Sequence, residues 1–372
     1  MKNKIVSLFT FWRIVGVVIV ISGLYYTYIR FTQGIGAVSN LSDVSPWGLW
    51  IGFDILCGVG LAAGGFTICA VTHIFNIERF KPLTRPAILT AFLGYVLVVV
   101  ALLIDLGKPW NIWHAIIMWN PRSVMFEVAW CVMLYTTVLF LEFSPVIVER
   151  FNLQKLQTIL KKIAVPVMIL GVLLSTLHQS SLGSLFLIVP QKMHPLWYTP
   201  LLPVYFYMTA IATGFAMVVF ESYLSSRAFG KELELPLLST CGLISVSTLG
   251  IYFVVKMTEL AISGNISYIF AGDFLANMFL AEMLVGVIIP AAILLSKHRR
   301  RNRTYLYTGI IFVIAGFLMN RMNVGVTSIS VYTGTNYFPS VGEVAITLMI
   351  VVFGMMAFKF AVKNFPVFSA DH

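Results

Sequence analysis

The chain has 372 residues, of which 59% are hydrophobic and only 11% are charged, and its mean hydropathy is +0.90. Soluble domains carry about 25% charged residues, so this composition excludes a soluble enzyme and indicates an integral membrane protein. The net charge of +10 does not indicate nucleic-acid binding, because membrane proteins place Lys and Arg in the loops that set their orientation.

Ten apolar segments follow one another along the chain, each long enough to predict a transmembrane helix. They cover residues 14–31, 47–75, 87–106, 123–143, 163–182, 200–224, 236–261, 273–295, 305–319 and 341–360. Pro166 interrupts the fifth segment, and the ninth is short. Since no linker is long enough to separate domains, we predict one all-α domain, a polytopic membrane helical bundle, over residues 1–372.

The basic residues alternate between the two sides of this bundle. Nineteen of the 25 Lys and Arg residues lie in the two termini and in every second connection, five lie on the other side, and Lys256 is inside the seventh segment. The positive-inside rule then places both termini in the cytoplasm. We expect a multi-pass protein of the bacterial inner membrane.

Acidic side chains concentrate in the half of the membrane that faces the periplasm in this topology. They are Asp54, Asp105, Glu127, Glu259, Asp273, Glu282 and Glu343. We expect Asp105, Asp273 and Glu343, at helix ends, to reach the interface. Asp54, Glu127 and Glu282 are too deep and too short for that, so they are predicted to face the interior. Asp54 then lines a polar pocket open toward the periplasm, while Lys256 pairs with Glu259 at helical spacing.

The chain has few residues of the types that ligate redox cofactors, cysteine and histidine. Four cysteines lie singly in apolar segments, which predicts buried small side chains without iron–sulfur cluster or metal. Six histidines give no pair at matched depth, as a bound haem would need. Polar residues that lie mainly in one half of the membrane suit an amphipathic ligand such as a quinone, whose oxygens need proton donors. A secondary transporter for a small anion or amino acid is the alternative, as is an anchor without a site.

Several motifs are specific in combination. The segments are SPWGLWIGFDILCGVGLAAGG, LIDLGKPWNIWHAIIMWNPRSVMFE, LSTLHQSSLGSLFLI, TGFAMVVFES and MNRMNVGV. Together they resemble the NrfD-type family, the membrane subunits of polysulfide reductase and its relatives, and within it the quinone-linked subunits of periplasmic nickel–iron hydrogenases. The resemblance covers almost the whole chain.

The resemblance implies a haem-free subunit that binds menaquinone or ubiquinone near the periplasmic face. A periplasmic ferredoxin-like iron–sulfur subunit would dock there and exchange electrons with the quinone. Hydrogenase large and small subunits would lie beyond it, or alternatively another catalytic subunit, such as a molybdenum enzyme acting on polysulfide. Proton translocation through the membrane subunit is also implied.

The family's functional positions fall on particular residues of this chain. They are Tyr95, Glu127 after NPRSVMF, His178 in LHQSS and Glu221 in VFES, and Asp54 follows the Trp-Gly motif that contains Trp47 and Trp50. His178 and Asp54 are predicted to contact the quinone together with the two tryptophans. Glu127 completes the pocket, whereas Tyr95 and Glu221 are predicted to bring protons from the cytoplasm. For Tyr95 an ordinary packed aromatic, and for Glu221 a helix-end charge, are the alternatives.

Overall fold

A computed structural model describes residues 2–230, 233–329, 334 and 337–368, and of residues 2–10 the backbone alone. Its described residues form helices and connecting turns without a β-strand, which confirms the predicted all-α class. Ten helices are long and apolar enough to cross a membrane: α1 (Lys2–Gln33), α2 (Trp50–Ile74), α3 (Glu78–Asp105), α4 (Val124–Arg150), α5 (Gln154–Ile188), α6 (Leu202–Phe229), α7 (Leu235–Ile262), α8 (Phe274–Leu294), α9 (Arg303–Thr327) and α10 (Val341–Asn364).

These helices match the ten predicted segments in number and order, and they differ in length. Helix α5 continues through Pro166, because neighbouring helices in a membrane tolerate a proline that would end an isolated helix. Helix α9 is longer than predicted, since a π-helical turn extends it from Asn323 to Thr327. We call the side with the basic connections the basic side and the opposite one the non-basic side.

Eight of the helices form two groups of four. Helices α2 to α5 contact one another, as do α6 to α9, and the groups meet where α2 packs against α6 and α9 and where α5 packs against α6. Helices α2 and α6 are the most buried, whereas α1 is mostly exposed and packs on α10, which itself contacts α3. The core therefore lies along α2 and α6.

Glycines permit the closest helix contacts. A Cβ at Gly214 of α6 would lie 2.9 Å from the backbone of Ala63 in α2, and a Cβ at Gly316 of α9 would lie 1.9 Å from the Cα of Gly286 in α8. Small residues commonly line such contacts between membrane helices, because they let the backbones approach. Any larger residue at Gly316 would push α8 and α9 apart.

Helix α2 is irregular where its acidic residue lies. Its first part, Trp50–Cys57, is π-helical and contains Asp54, and a second π-helical turn covers Ala70–Ile74. Similar turns occur at Leu284–Ile288 in α8 and at Asn323–Thr327 in α9. Such turns frequently occur at functional sites, since they change the direction of the side chains that follow.

Candidate functional site

A buried hydrogen bond joins α3 to α5 near the middle of the bundle. The Tyr95 hydroxyl and the His178 Nδ1 are 2.8 Å apart, and both side chains are 0% exposed. The ring of Tyr135 from α4 packs edge-on against Tyr95, with centroids 4.7 Å apart. A phenol and an imidazole in this contact exchange a proton without reaching solvent. Tyr95 therefore makes a polar contact as well as packing against a ring.

His178 has a second ring nitrogen available for chemistry. Its Nε2 is buried and has no hydrogen-bond partner within the described residues. The following residue, Gln179, donates from Nε2 to the Val59 carbonyl oxygen at 3.1 Å and so fixes α5 against α2. The imidazole is therefore bonded to α3 through Nδ1, while its Nε2 has no hydrogen-bond partner in the part of the chain that the structure describes.

A second hydrogen bond lies closer to the basic side. Thr90 Oγ1 donates to Glu221 Oε2 at 2.6 Å and joins α3 to α6. The other carboxylate oxygen of Glu221 is buried and without a partner in the described part of the chain. Thr90 precedes Tyr95 by about one and a half helical turns, roughly 7.5 Å of rise. Glu221, Thr90, Tyr95 and His178 therefore follow one another from the basic half to the middle of the membrane.

Asp54 faces the interior, as predicted, and its partner lies on the last helix. It is 7% exposed, and Thr347 of α10 donates to its Oδ2 at 2.7 Å. Trp50, one turn earlier, is 1% exposed and its Nε1 has no acceptor within the described residues. Trp47 is half-buried and packs edge-on against Phe186. Thus one tryptophan of the motif has a buried donor that finds no partner among the described residues.

The structure leaves Glu127 out of the pocket predicted for Asp54, Glu127 and His178. Glu127 is exposed in the first turn of α4, so the prediction that it faces the interior is wrong. An acidic side chain is favourable there because it lies near the positive end of the helix dipole. Asp54 bonds to Thr347 of α10, whereas His178 bonds to Tyr95 of α3. Gln179, the residue after His178, contacts α2 at Val59, which lies more than a helical turn deeper than Asp54.

Glu282 is the centre of a second polar cluster, in the α6–α9 group. It is 2% exposed, in agreement with the prediction, and it accepts hydrogen bonds from Trp197 Nε1 at 2.9 Å and from Asn320 and Asn323, each at 2.8 Å. Arg321 lies beside it and bonds to the Asn320 side chain at 2.7 Å. The sequence predicted the buried acid but not its three donors. Two of these donors, Asn320 and Asn323, lie in the MNRMNVGV motif beside Arg321.

The three acids predicted to reach the interface differ from one another in burial and in hydrogen bonding. Asp273 caps the N-terminus of α8 and accepts from the Ala276 backbone at 2.7 Å. Asp105 is half-buried at the end of α3. Glu343 is 0% exposed in a capping box with Ser340, so its predicted position at the interface is wrong: backbone N–H groups and the Tyr337 hydroxyl hold the carboxylate inside. Burial and this carboxylate raise the pKa of Tyr337.

A cavity on the basic side and a groove on the non-basic side lie near charged side chains. A cavity of about 170 Å³ is lined by Cys69, His73, Thr84 and Glu142, among others, at the basic ends of α2 to α5. A groove of about 460 Å³ lies between the start of α6 and the end of α7, and Glu259 is part of its wall. Glu259 pairs with Lys256, whose Nζ is 3.5 Å from its Oε2, which confirms the predicted pair.

The sequence matches the family described as "Polysulphide reductase, NrfD" over residues 37–331. The chain belongs to the NrfD family. This membership confirms the resemblance seen in the motifs. It also agrees with the ten membrane-spanning helices, because residues 37–331 include most of them.

Curated relatives cover nearly the whole NrfD chain. A protein of Nitratidesulfovibrio vulgaris Hildenborough is 38% identical over 97% of this chain and 95% of its own length. The probable Ni/Fe-hydrogenase 2 b-type cytochrome subunit of Escherichia coli K12 is 34% identical over 91% and 87%. The menaquinone reductase integral membrane subunit of N. vulgaris Hildenborough is 26% identical over 94% and 89%.

The cytochrome in one relative's name raises the question of whether this chain's residues fit a haem. Two facing histidines at one depth would be needed. Among the described histidines only His178 and His194 are buried. His178 Nδ1 bonds to Tyr95, and His194 lies in the connection between α5 and α6, where it packs on Trp197. The described histidines therefore do not offer a pair of axial ligands to a haem.

Proposed function

We propose that this chain is the haem-free, quinone-linked membrane subunit of a periplasmic respiratory oxidoreductase, with nickel–iron hydrogenase as its catalytic partner. Family membership and the names of two relatives, a hydrogenase subunit and a menaquinone reductase subunit, support this proposal. The observation that carries it is the Tyr95–His178 hydrogen bond. A fully buried phenol–imidazole pair gives a transported solute no access, whereas it is suited to moving protons.

A bound quinone supplies two-electron chemistry that takes up two protons. Electrons would come from a periplasmic iron–sulfur subunit docked on the non-basic side, and either menaquinone or ubiquinone would serve. The chain supplies donors of the kind that quinone oxygens need, because Trp50 Nε1 and His178 Nε2 are buried without partners in the described residues. Asp54 lies one turn beyond Trp50 and would orient the ring, with Trp47 as a neighbouring apolar wall.

The protons are proposed to come from the cytoplasm. Glu221 would take up a proton at the basic side, Thr90 would hold its carboxylate toward α3, and Tyr95 would pass a proton to His178. Water would fill the gap of roughly 7.5 Å along α3. Glu127, exposed on the non-basic side, would act outside this route, near the docked partner.

The docking face is proposed to be the non-basic side, which is the periplasmic side if the positive-inside rule holds. The connection between α3 and α4 exposes Trp110, Trp113 and Trp119, which are 67%, 51% and 65% exposed. Aromatic side chains are enriched both at membrane interfaces and in protein contacts. This connection would therefore lie against the headgroups and the iron–sulfur subunit together.

Purification of the chain with its native partners tests the proposal. We expect an iron–sulfur protein and extractable quinone in the complex, and electron transfer from the catalytic subunit to added quinone. If the chain purifies alone and accumulates a small anion or amino acid in vesicles, it is a transporter and the proposal fails. A molybdenum enzyme in place of hydrogenase would change the catalytic partner and leave the quinone linkage standing.

A further inference from the structure

Two arginines from different helices meet over one tyrosine ring on the basic side. Arg227 lies in the last turn of α6, and Arg303 begins α9. Their guanidinium carbons are 5.1 Å and 4.7 Å from the centroid of the Tyr223 ring. The two positive charges can therefore be no farther apart than the sum of these two distances.

Both guanidinium groups can be reached by an anion from outside the bundle. The two arginine side chains are exposed. Within the described residues neither guanidinium has a hydrogen bond or a carboxylate at ion-pair distance. Glu234, the first described acid after α6, is exposed and pairs with neither of them. Since like charges this close repel each other, an anion between them would lower the free energy of the pair.

The lengths of the two helices place the arginine pair at the level of the lipid headgroups. Helix α6 has 28 residues and α9 has 25. At 1.5 Å per residue these helices are roughly 42 Å and 38 Å long, whereas the hydrocarbon core of a bilayer is about 30 Å thick. The arginines at their basic ends therefore reach beyond the hydrocarbon core, to the depth at which lipid phosphates lie.

The surface below the arginines changes from aromatic to aliphatic. Tyr223 stacks on Tyr307 of α9 with ring centroids 3.8 Å apart, and Tyr307 stacks on Phe220 of α6 at 5.8 Å. Leu224 on the same face of α6 and Ile311, one turn beyond Tyr307, are each 43% exposed. Aromatic rings favour the membrane interface, and exposed aliphatic side chains contact acyl chains. The order from cation to ring to aliphatic side chain matches the order from phosphate to acyl chain in a phospholipid.

We propose that the basic ends of α6 and α9 bind an anionic phospholipid. Its phosphate would lie between Arg227 and Arg303, because the planar donors of a guanidinium match two phosphate oxygens. One acyl chain would follow the seam between α6 and α9, which pack against each other. The bound lipid would hold the basic ends of these two helices together. The site lies on the opposite side of the membrane from the proposed docking face and does not depend on the quinone linkage.

Phosphatidylglycerol with a photoreactive group in one acyl chain tests the site, in the intact complex in phosphatidylcholine vesicles. We expect label on residues 220–227 and 303–311, displaced by excess phosphatidylglycerol and not by phosphatidylcholine or inorganic phosphate. The double variant Arg227→Gln, Arg303→Gln removes both guanidinium groups. It should lower the affinity obtained from the labelling curve about 30-fold, equivalent to about 2 kcal/mol of binding.

The double variant Lys297→Gln, Arg301→Gln is the matched control. Both side chains are exposed in the connection before α9, so the control removes the same amount of charge from the same side of the membrane. It should have a much smaller effect on the labelling curve, because it leaves the two guanidinium groups over the Tyr223 ring in place.

Other outcomes overturn the inference. Equal losses in the two double variants would show a general attraction to the basic side instead of a site. Displacement by phosphatidylcholine would show that the charge of the headgroup is not selected, and displacement by inorganic phosphate would show that the tail is not needed. Absence of label on these residues would also refute the site. If the arginine double variant does not fold, Arg227→Gln alone decides: an unchanged labelling curve there would contradict a phosphate held between the two arginines.

Discussion

Replacing Glu221 by Gln removes a titratable group from the basic half of the bundle and keeps its main contact. Thr90 Oγ1 donates to Glu221 Oε2 at 2.6 Å, and the carboxamide oxygen of Gln accepts the same bond. The size of the side chain is also preserved. We therefore expect the free energy of unfolding to change by less than about 1 kcal/mol and the complex to assemble normally.

The expected loss is in quinone-linked turnover. A positioned group that transfers protons contributes about 10²–10⁴-fold to the rate, so we expect Glu221→Gln to lower quinone reduction by about 100-fold or more. Each proton drawn from the cytoplasm moves charge against the membrane potential, which costs about 2.3 kcal/mol per 100 mV. Membrane-potential formation should therefore fall together with turnover.

The assay uses the purified complex in vesicles, with a potential-sensitive dye and quinone absorbance followed together. Electron transfer from the catalytic subunit to a soluble artificial acceptor should keep its wild-type rate, because that step does not use this chain's protons. Glu142→Gln is the matched control, since Glu142 is another acid in the basic half of the bundle and lines the cavity of about 170 Å³. Its effect should be mild. Wild-type turnover in Glu221→Gln with a strong loss in Glu142→Gln would refute the route and place proton uptake at that cavity.

Three further predictions follow from particular contacts. Tyr95→Phe leaves His178 Nδ1 without its bond at 2.8 Å and should lower the free energy of unfolding by about 1–3 kcal/mol, measured by thermal unfolding. It should also lower quinone turnover, measured by quinone absorbance. Tyr135→Phe keeps that bond and should have a milder effect on both. Glu282→Ala removes the acceptor of three hydrogen bonds and should lower thermal stability in detergent more than Asp273→Ala, which removes one helix cap. A reporter fused after the last residue should be active only as a cytoplasmic type, and alkaline-phosphatase activity there would contradict the topology.

The number of helices and the buried acids follow from the sequence for simple physical reasons. A bilayer fixes the length of an apolar span, so ten runs of apolar residues predicted ten helices. A carboxylate deep in such a run needs a partner, and Asp54 and Glu282 do have one. These inferences depend only on properties of a single helix.

The hydrogen-bond partners of these acids cannot be predicted from the sequence, because they depend on which helices become neighbours. Threonine is common in membrane helices and bonds to its own backbone, so nothing in the sequence distinguishes Thr347 or Thr90 as the donor to an acid. Glu127 shows the opposite error. Its expected depth predicted burial, but Glu127 lies in the first turn of α4 and is exposed, although Cys131, one turn further along the same face, is buried. How far neighbouring elements cover the end of a helix is set by packing.

The most direct test of the central claim is a reduced-minus-oxidised spectrum of the purified complex, recorded while added menaquinone or ubiquinone is reduced through the native partner. We expect repeated quinone reduction that depends on this chain, with iron–sulfur bleaching from the partner and no Soret band assignable to the chain. A Soret change at one haem per chain, or quinone reduction at the same rate by the partner without the chain, would contradict the account.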